Sequence, residues 1–276
     1  MKSIMVTGAS TGIGRATVTD LLAAGYHVWA AVRTESDEAA LREAGASVLR
    51  MDLTDADSIK AAGETVRAAG PLHGLVNNAG VATPGPLEYL PIELFRHQIE
   101  VNLVGQLAVT QAMLPALRAA LEEGGGARIV MVGSVSGRIA GPMLGAYSSS
   151  KFGLTGLTDS LRAELAPSGI RVALIEPGPI ATPIWQRSGA EGDRIIDQLP
   201  PEGQQRYAKQ ISLIRAVAAR SAARGLPPER VAKVIRHALT SGRPKARYLV
   251  GPQAHVGALL SRVSFRLTRR LTAARG

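Results

Sequence analysis

TGASTGIG, Thr7 to Gly14, is the stretch that decides the fold of this 276-residue chain. It follows the aliphatic run Ser3–Thr7 and opens a helical pattern over Gly14–Ala24. Glycines at such a junction let the backbone turn tightly and approach a pyrophosphate. The first N–H groups of the helix, with its positive dipole end, attract that anion. A glycine triplet alone is also an ordinary tight turn, so the strand–loop–helix setting gives it weight. The spacing of Gly8, Gly12 and Gly14 is TGxxxGxG rather than GxGxxG.

Outward from this loop, short aliphatic runs alternate with helical patterns. Strands are predicted over Ser3–Thr7, His27–Val32, Ser47–Met51, Gly74–Asn77, Arg128–Val132, Arg171–Glu176 and Arg247–Val250. Helices are predicted over Glu35–Ala44, Ala56–Ala69, Leu90–Leu121 (as two helices), Ala146–Ala166 and Pro228–Thr240. The strands read as nearly continuous apolar runs, which marks a parallel sheet buried on both faces. Right-handed crossovers then give one α/β domain over residues 1–276, a Rossmann-type doubly wound sheet of about seven strands. Residues 180–224 mix Pro, Gly and charge without a strand and are too long for a connection, so a helical substrate lid is expected there.

Composition narrows the function. Apolar residues make up 46% of the chain, enough for a large core, but aromatics only 4%, so aliphatic side chains must fill it. Cys is absent, which excludes disulfides, Cys-based metal sites and a Cys nucleophile. His73, His97 and His237 have no ligand spacing and read as surface or core residues; no metal is expected. The N-terminal run MKSIMVTG is too short for a secretory core and no apolar run reaches 18 residues, so a cytoplasmic location is expected.

The net charge of +10 sits at one end: from Arg215 onward there are 14 Lys and Arg against one acid, Glu229. A charge run is usually a solvated face, and without interleaved aromatics or a known motif no nucleic-acid site is expected. Within a basic C-terminal helix expected over residues 255–273, Leu260, Val263, Leu267 and Leu271 form one stripe, with Arg262, Arg266, Arg269 and Arg270 largely off it. Packing on the protein is preferred to contact with a membrane.

Tyr147 and Lys151 lie four apart at the start of a predicted helix and project from one face. A phenol of reference pKa about 10 needs a neighbouring cation to work as an acid–base group near neutrality. Ser134, thirteen residues earlier in VGSVSG, ends a strand. NNAG (Asn77–Gly80), VNLVG with Asn102, Asp52–Leu53 and PGPIAT (Pro177–Thr182) follow in order.

With the glycine loop, this set resembles the short-chain dehydrogenase/reductase family over residues 1–182, and more weakly its hydroxysteroid/retinol dehydrogenase branch with bacterial relatives. The resemblance implies a catalytic tetrad of Asn102, Ser134, Tyr147 and Lys151. Ser134 would orient a carbonyl, Tyr147 pass the proton, Lys151 lower the phenol pKa and hold the nicotinamide ribose, and Asn102 anchor a water. It implies that Gly8, Ser10, Thr11, Gly12, Ile13 and Gly14 cradle the cofactor. Asp52 and Leu53 would meet the adenine, Asn78, Ala79 and Gly80 floor the ribose, and Pro177, Gly178, Ile180 and Thr182 line the nicotinamide side. Several of these have plainer readings: Asn102 as a backbone bridge, Ser134 and Thr182 as caps, and Asp52 as the cap of the helix near Ala56.

The reaction implied is hydride transfer between nicotinamide and a carbonyl or secondary alcohol of an apolar small molecule. NAD-dependent relatives carry Asp where Val32 stands; here Arg33 follows, suiting a 2′-phosphate, so NADP is expected with NAD possible. Thr11 stands where many NADP-dependent relatives have a base. Ile139, Met143, Leu144, Ile184, Trp185, Ile195, Ile196, Leu199, Tyr207, Ile211, Leu213 and Ile214 are candidates for an apolar pocket or the buried faces of lid helices. Family members pair through helices matching Leu103–Leu121 and Ser148–Ala166, which implies a homodimer or homotetramer. The rivals are an NAD-dependent alcohol dehydrogenase and a non-catalytic dinucleotide sensor, which has no need of Tyr147 and Lys151 together.

Overall fold

Ser3–Thr7 forms β1, buried along its whole length in a computed structural model that describes residues 1–261. Side chains alternate across a strand, and here they divide between two apolar layers: Ile4 and Val6 enter one, Met5 the other. The remaining strands are β2 (His27–Val32), β3 (Ser47–Arg50), β4 (Gly74–Asn77), β5 (Arg128–Val132), β6 (Arg171–Pro177) and β7 (Arg247–Val250). All pair in parallel in the order β3-β2-β1-β4-β5-β6-β7, with Ser3 opposite His27 on one side of β1 and Ile4 opposite Gly74 on the other.

The helices are α1 (Gly12–Ala23), α2 (Ala39–Glu43), α3 (Ala56–Ala69), α4 (Ile92–Ile99), α5 (Gly105–Glu122), α6 (Gly145–Leu165), α7 (Ile184–Asp197), α8 (Pro201–Arg224), α9 (Pro228–Thr240) and α10 (Pro252–Leu260). Val18 and Leu21 of α1, Leu41 of α2 and Val231 and Ile235 of α9 cover one face of the sheet. Ile59 of α3, Val109 and Met113 of α5 and Leu154 of α6 cover the other. This is a Rossmann-type doubly wound α/β fold. Strand order reverses between β1 and β4, which opens a crevice beyond the carboxyl ends of those strands.

Side chains stitch that crevice shut from below. Thr7 Oγ1 accepts from the Asn78 N–H at 2.9 Å and the Ala79 N–H at 3.0 Å. Asn78 Nδ2 donates back to the Thr7 and Gly8 carbonyls. The loop after β4 therefore holds the glycine loop in place. Gly14 is the tightest point: a Cβ there would stand 2.0 Å from the Gly8 carbonyl oxygen and 2.6 Å from Asn78 Nδ2. Gly14→Ala should cost about 2–3 kcal/mol, as overpacking of a rigid junction does. Urea denaturation checks this, and an unchanged midpoint would show the contact to be soft.

Several boundaries differ from the sequence reading. The helix expected over Glu35–Ala44 is split into a 3₁₀ turn at Glu35–Asp37 and the short α2. Thr34 Oγ1 donates to the Asp37 carboxylate at 2.7 Å, a local bond that competes with helical continuation. The first helix begins at Gly12 rather than Gly14, and α6 spans Gly145–Leu165 rather than Ala146–Ala166. β3 ends at Arg50 and β6 runs on to Pro177. The two helices expected within Leu90–Leu121 are α4 and α5, joined by a π-helical turn at Glu100–Val104.

The lid consists of α7 and α8, pinned at its root where Ile180 pairs with Leu226. α10 begins at Pro252 and lies on the loop after β5, where a Cβ on Gly257 would stand 2.3 Å from Val135 Cγ2. Of the expected apolar stripe only Leu260 is described; Val263, Leu267, Leu271 and the four arginines beside them lie outside the described residues. Among the described residues no helix is long and apolar enough to cross a membrane.

Candidate active site

β5 ends at the crevice, and Ser134 stands just beyond it in extended backbone. Its Oγ accepts from the Ser136 N–H at 3.0 Å, so it also caps the short turn Val135–Gly137. α6 starts alongside and brings the Tyr147 phenol close enough to Ser134 for the serine to pull its pKa down. One helical turn on, Lys151 is 4% exposed, donates from Nζ to the Val132 carbonyl at 2.9 Å and lies 5.8 Å from the Tyr147 ring centre.

Burial sets the charges here. It pushes the Tyr147 phenol above its ordinary value, against the opposing pull of the Ser134 hydrogen bond. It lowers the Lys151 ammonium from 10.5 to about 8. In the ligand-free protein burial therefore raises the phenol, whereas the sequence reading expects Lys151 to lower it.

Asn102 does not reach the crevice surface. Its Oδ1 accepts from the Val81 N–H at 2.8 Å, and its Nδ2 donates to the Val81 carbonyl at 2.9 Å and to Ser150 Oγ at 3.0 Å. Ser150 Oγ in turn donates to the Tyr147 carbonyl at 2.7 Å. The Asn102 amide is thus spent on backbone bridging, tying the π turn to the loop after β4 and to the helix that presents Tyr147.

A cavity of about 890 Å³ runs over this group. Gly8, Ser10, Thr11, Gly12 and Ile13 line it, as do Arg33, Asp52, Leu53, Asn78, Ala79 and Gly80. Ser134, Tyr147, Lys151, Pro177, Gly178, Ile180 and Thr182 complete the set. Of the predicted site residues only Gly14 and Asn102 lie beneath rather than along the wall. Gly8 and Gly12 have φ of 62° and 56°, the left-handed region that admits glycine and leaves their amides free to face an anion. With the open start of α1, this cradle fits a dinucleotide's pyrophosphate.

Asp52 is not the cap of α3; Asp55 is, accepting from the N–H groups of Asp57 and Ser58. The Asp52 carboxylate binds the Thr54 N–H and hydroxyl, each at 2.8 Å. Burial pushes it up, but the Thr54 bonds and the Arg33 and His97 charges outweigh that and hold it below the usual carboxylate range.

The lid contributes unequally. Ile184, Trp185, Ile196 and Ile214 line the cavity with Met143 and Leu144. Leu199, Tyr207 and Ile211 pack with Met143 and Ile196 in a small core separate from the two layers on the sheet. Met143 has a φ of 65°, a costly conformation for a side chain of its size, and is held where the Gly85 N–H binds its carbonyl at 2.8 Å. His97, Arg187 and the Asp193–Arg215 ion pair at 2.7 Å also line the cavity. None of these had a motif around it in the sequence, and only the fold brings them there.

The model for short chain dehydrogenases matches residues 2–192. The chain belongs to the short-chain dehydrogenase family. A similar protein of Ornithobacterium rhinotracheale, named NADPH-dependent 3-dehydrocapnine reductase, is 38% identical over 259 residues, covering 92% of this chain and 89% of its own. Among solved structures, a short chain dehydrogenase from Burkholderia cenocepacia in complex with NADP is 26% identical, with a TM-score of 0.75 and coverage of 98% and 99%. One from Burkholderia phymatum in complex with NAD is 25% identical, with a TM-score of 0.76 and coverage of 94% and 92%. This dehydrogenase is thus an NAD(P)-dependent oxidoreductase acting on CH–OH or C=O groups of a small molecule.

Proposed function

We propose that this dehydrogenase uses NADP(H) to interconvert a carbonyl and a secondary alcohol on an apolar substrate, with Tyr147 as general acid and base. The observation that carries the reading is the buried group of Tyr147, Ser134 and Lys151 on the wall of the same cavity as the glycine cradle. When bound, the nicotinamide supplies or accepts the hydride. Ser134 Oγ orients the substrate oxygen, and the Tyr147 hydroxyl gives it a proton during reduction and takes one back during oxidation. Lys151 holds the phenolate left after proton donation and the cofactor ribose. Asn102 acts at one remove, fixing the start of α6. The cavity wall formed by Met143, Leu144, Ile184, Trp185 and Ile196 supports an apolar substrate. Pairing through α5 and α6, where Phe152 is exposed, belongs to the same reading.

NADP is preferred because β2 ends on apolar Val32 and Arg33 faces the cavity. Asp37 lines the cavity nearby, but its carboxylate is engaged by Thr34. The NADPH dependence in the name of the Ornithobacterium relative points the same way. The test is a screen of ketones and alcohols with both cofactors, followed by nicotinamide absorbance. NADPH should bind more tightly than NADH, and Arg33→Ala should erase about tenfold of that preference, the worth of one charge-assisted contact. Equal affinities in the wild-type protein would show that Arg33 does not read the phosphate.

A further inference from the structure

Arg187 lies in the first turn of lid helix α7 and reaches the glycine loop, which lines the same cavity. Its guanidinium donates to Thr11 Oγ1 at 3.3 Å, across 176 residues of chain. The root of α7 is fixed above the glycine loop: a Cβ on Gly12 would stand 3.0 Å from Thr182 Cγ2. Trp185 Nε1 donates to the Ile180 carbonyl at 2.6 Å, and the Arg187 N–H bonds the Pro183 carbonyl at 3.1 Å. Arg187 therefore joins the start of α7 to Thr11, the residue that precedes α1 in the glycine loop.

Its charge is otherwise unused. Among the described residues no carboxylate lies within 4 Å of the Arg187 guanidinium, whereas the other lid cation on this wall, Arg215, is paired with Asp193 at 2.7 Å. A neutral threonine hydroxyl is a weak partner for a guanidinium, which matches a phosphate far better in charge and in its fork of donors.

We propose that Arg187 is a cofactor-binding residue delivered by the lid, its guanidinium holding the pyrophosphate that the glycine loop cradles. The inference rests on the reading of this cavity as the dinucleotide site. Because Thr11 belongs to the loop that cradles the pyrophosphate, its bond to Arg187 assigns the guanidinium to the bridging phosphates shared by both cofactors, leaving the 2′-phosphate to Arg33. It also links the lid's position to cofactor occupancy, since one side chain joins α7 to the ligand.

The test is fluorescence titration of the full chain with NADPH and with NADH at low and moderate salt. Arg187→Ala should weaken both cofactors about tenfold, with their ratio unchanged and a flatter salt dependence than wild type. Arg187→Lys should keep part of the affinity, because the charge remains and the fork is lost. Arg187 is exposed, so the ligand-free variant should melt as wild type does. Unchanged affinities in Arg187→Ala would overturn the proposal. A loss confined to NADPH would also overturn it, moving Arg187 to the 2′-phosphate. If the wild-type chain bound neither cofactor, the reading of the cavity itself would fail, an outcome separable from one in which wild type and variant bind equally well.

Discussion

Tyr147→Phe is expected to lower turnover at least about 100-fold while leaving cofactor affinity nearly unchanged, since general acid–base catalysis typically contributes 10²–10⁴-fold. The ring is retained and so is the packing at the start of α6; only the hydroxyl that meets Ser134 is lost. Steady-state rates and a fluorescence titration on the same preparation separate the two effects. A variant retaining more than about a tenth of wild-type activity would sink the mechanism. Direction matters as well. Because burial raises the phenol, Tyr147 is protonated at neutral pH and ready to donate, so carbonyl reduction should proceed there. Alcohol oxidation needs the ionised form and should accelerate as pH rises. An oxidation rate flat from neutral to alkaline pH would point to a different base.

How far the sequence alone reaches can be seen in particular residues. β1, β2, β4, β5, β7, α3 and α9 have the bounds predicted, because apolar runs between turn formers leave few alternatives. That the glycine loop, Ser134, Tyr147 and Lys151 share one cavity was legible from motifs that hold fixed residue types at fixed spacing. What was not legible depends on contacts between distant segments. Asp52 was open between capping α3 and facing the cavity until Asp55 proved to be the cap. For Asn102 the sequence offered the backbone bridge, but not the π turn that holds it or its bond to Ser150. His97 and Arg187 stand on otherwise ordinary helical faces; nothing local distinguishes Arg187 from the lid's other arginines until α7 is seated above Gly12.

Lys151→Met is expected to abolish most turnover and yet to stabilise the ligand-free protein at neutral pH. The ammonium is almost wholly buried, and among the described residues its hydrogen-bond partner is the Val132 carbonyl, a dipole rather than a counter-charge. Its pKa falls from 10.5 to about 8, and a depression of that size corresponds to about 3 kcal/mol of penalty on the charged form. Because the folded-state value is the lower one, the penalty is fully present below about pH 8 and disappears as pH rises towards 10.5. Methionine fills a similar volume without charge, though it leaves the Val132 carbonyl unpaired at a cost of about 1 kcal/mol. The variant should therefore gain about 1–2 kcal/mol at pH 7, and the gain should vanish or reverse near pH 10. Urea midpoints of both proteins at the two pH values measure this. A variant less stable than wild type at pH 7 would show that the Val132 bond outweighs desolvation. The expected pattern, stability rising where activity is lost, is that of a buried charge kept for the reaction rather than for the fold.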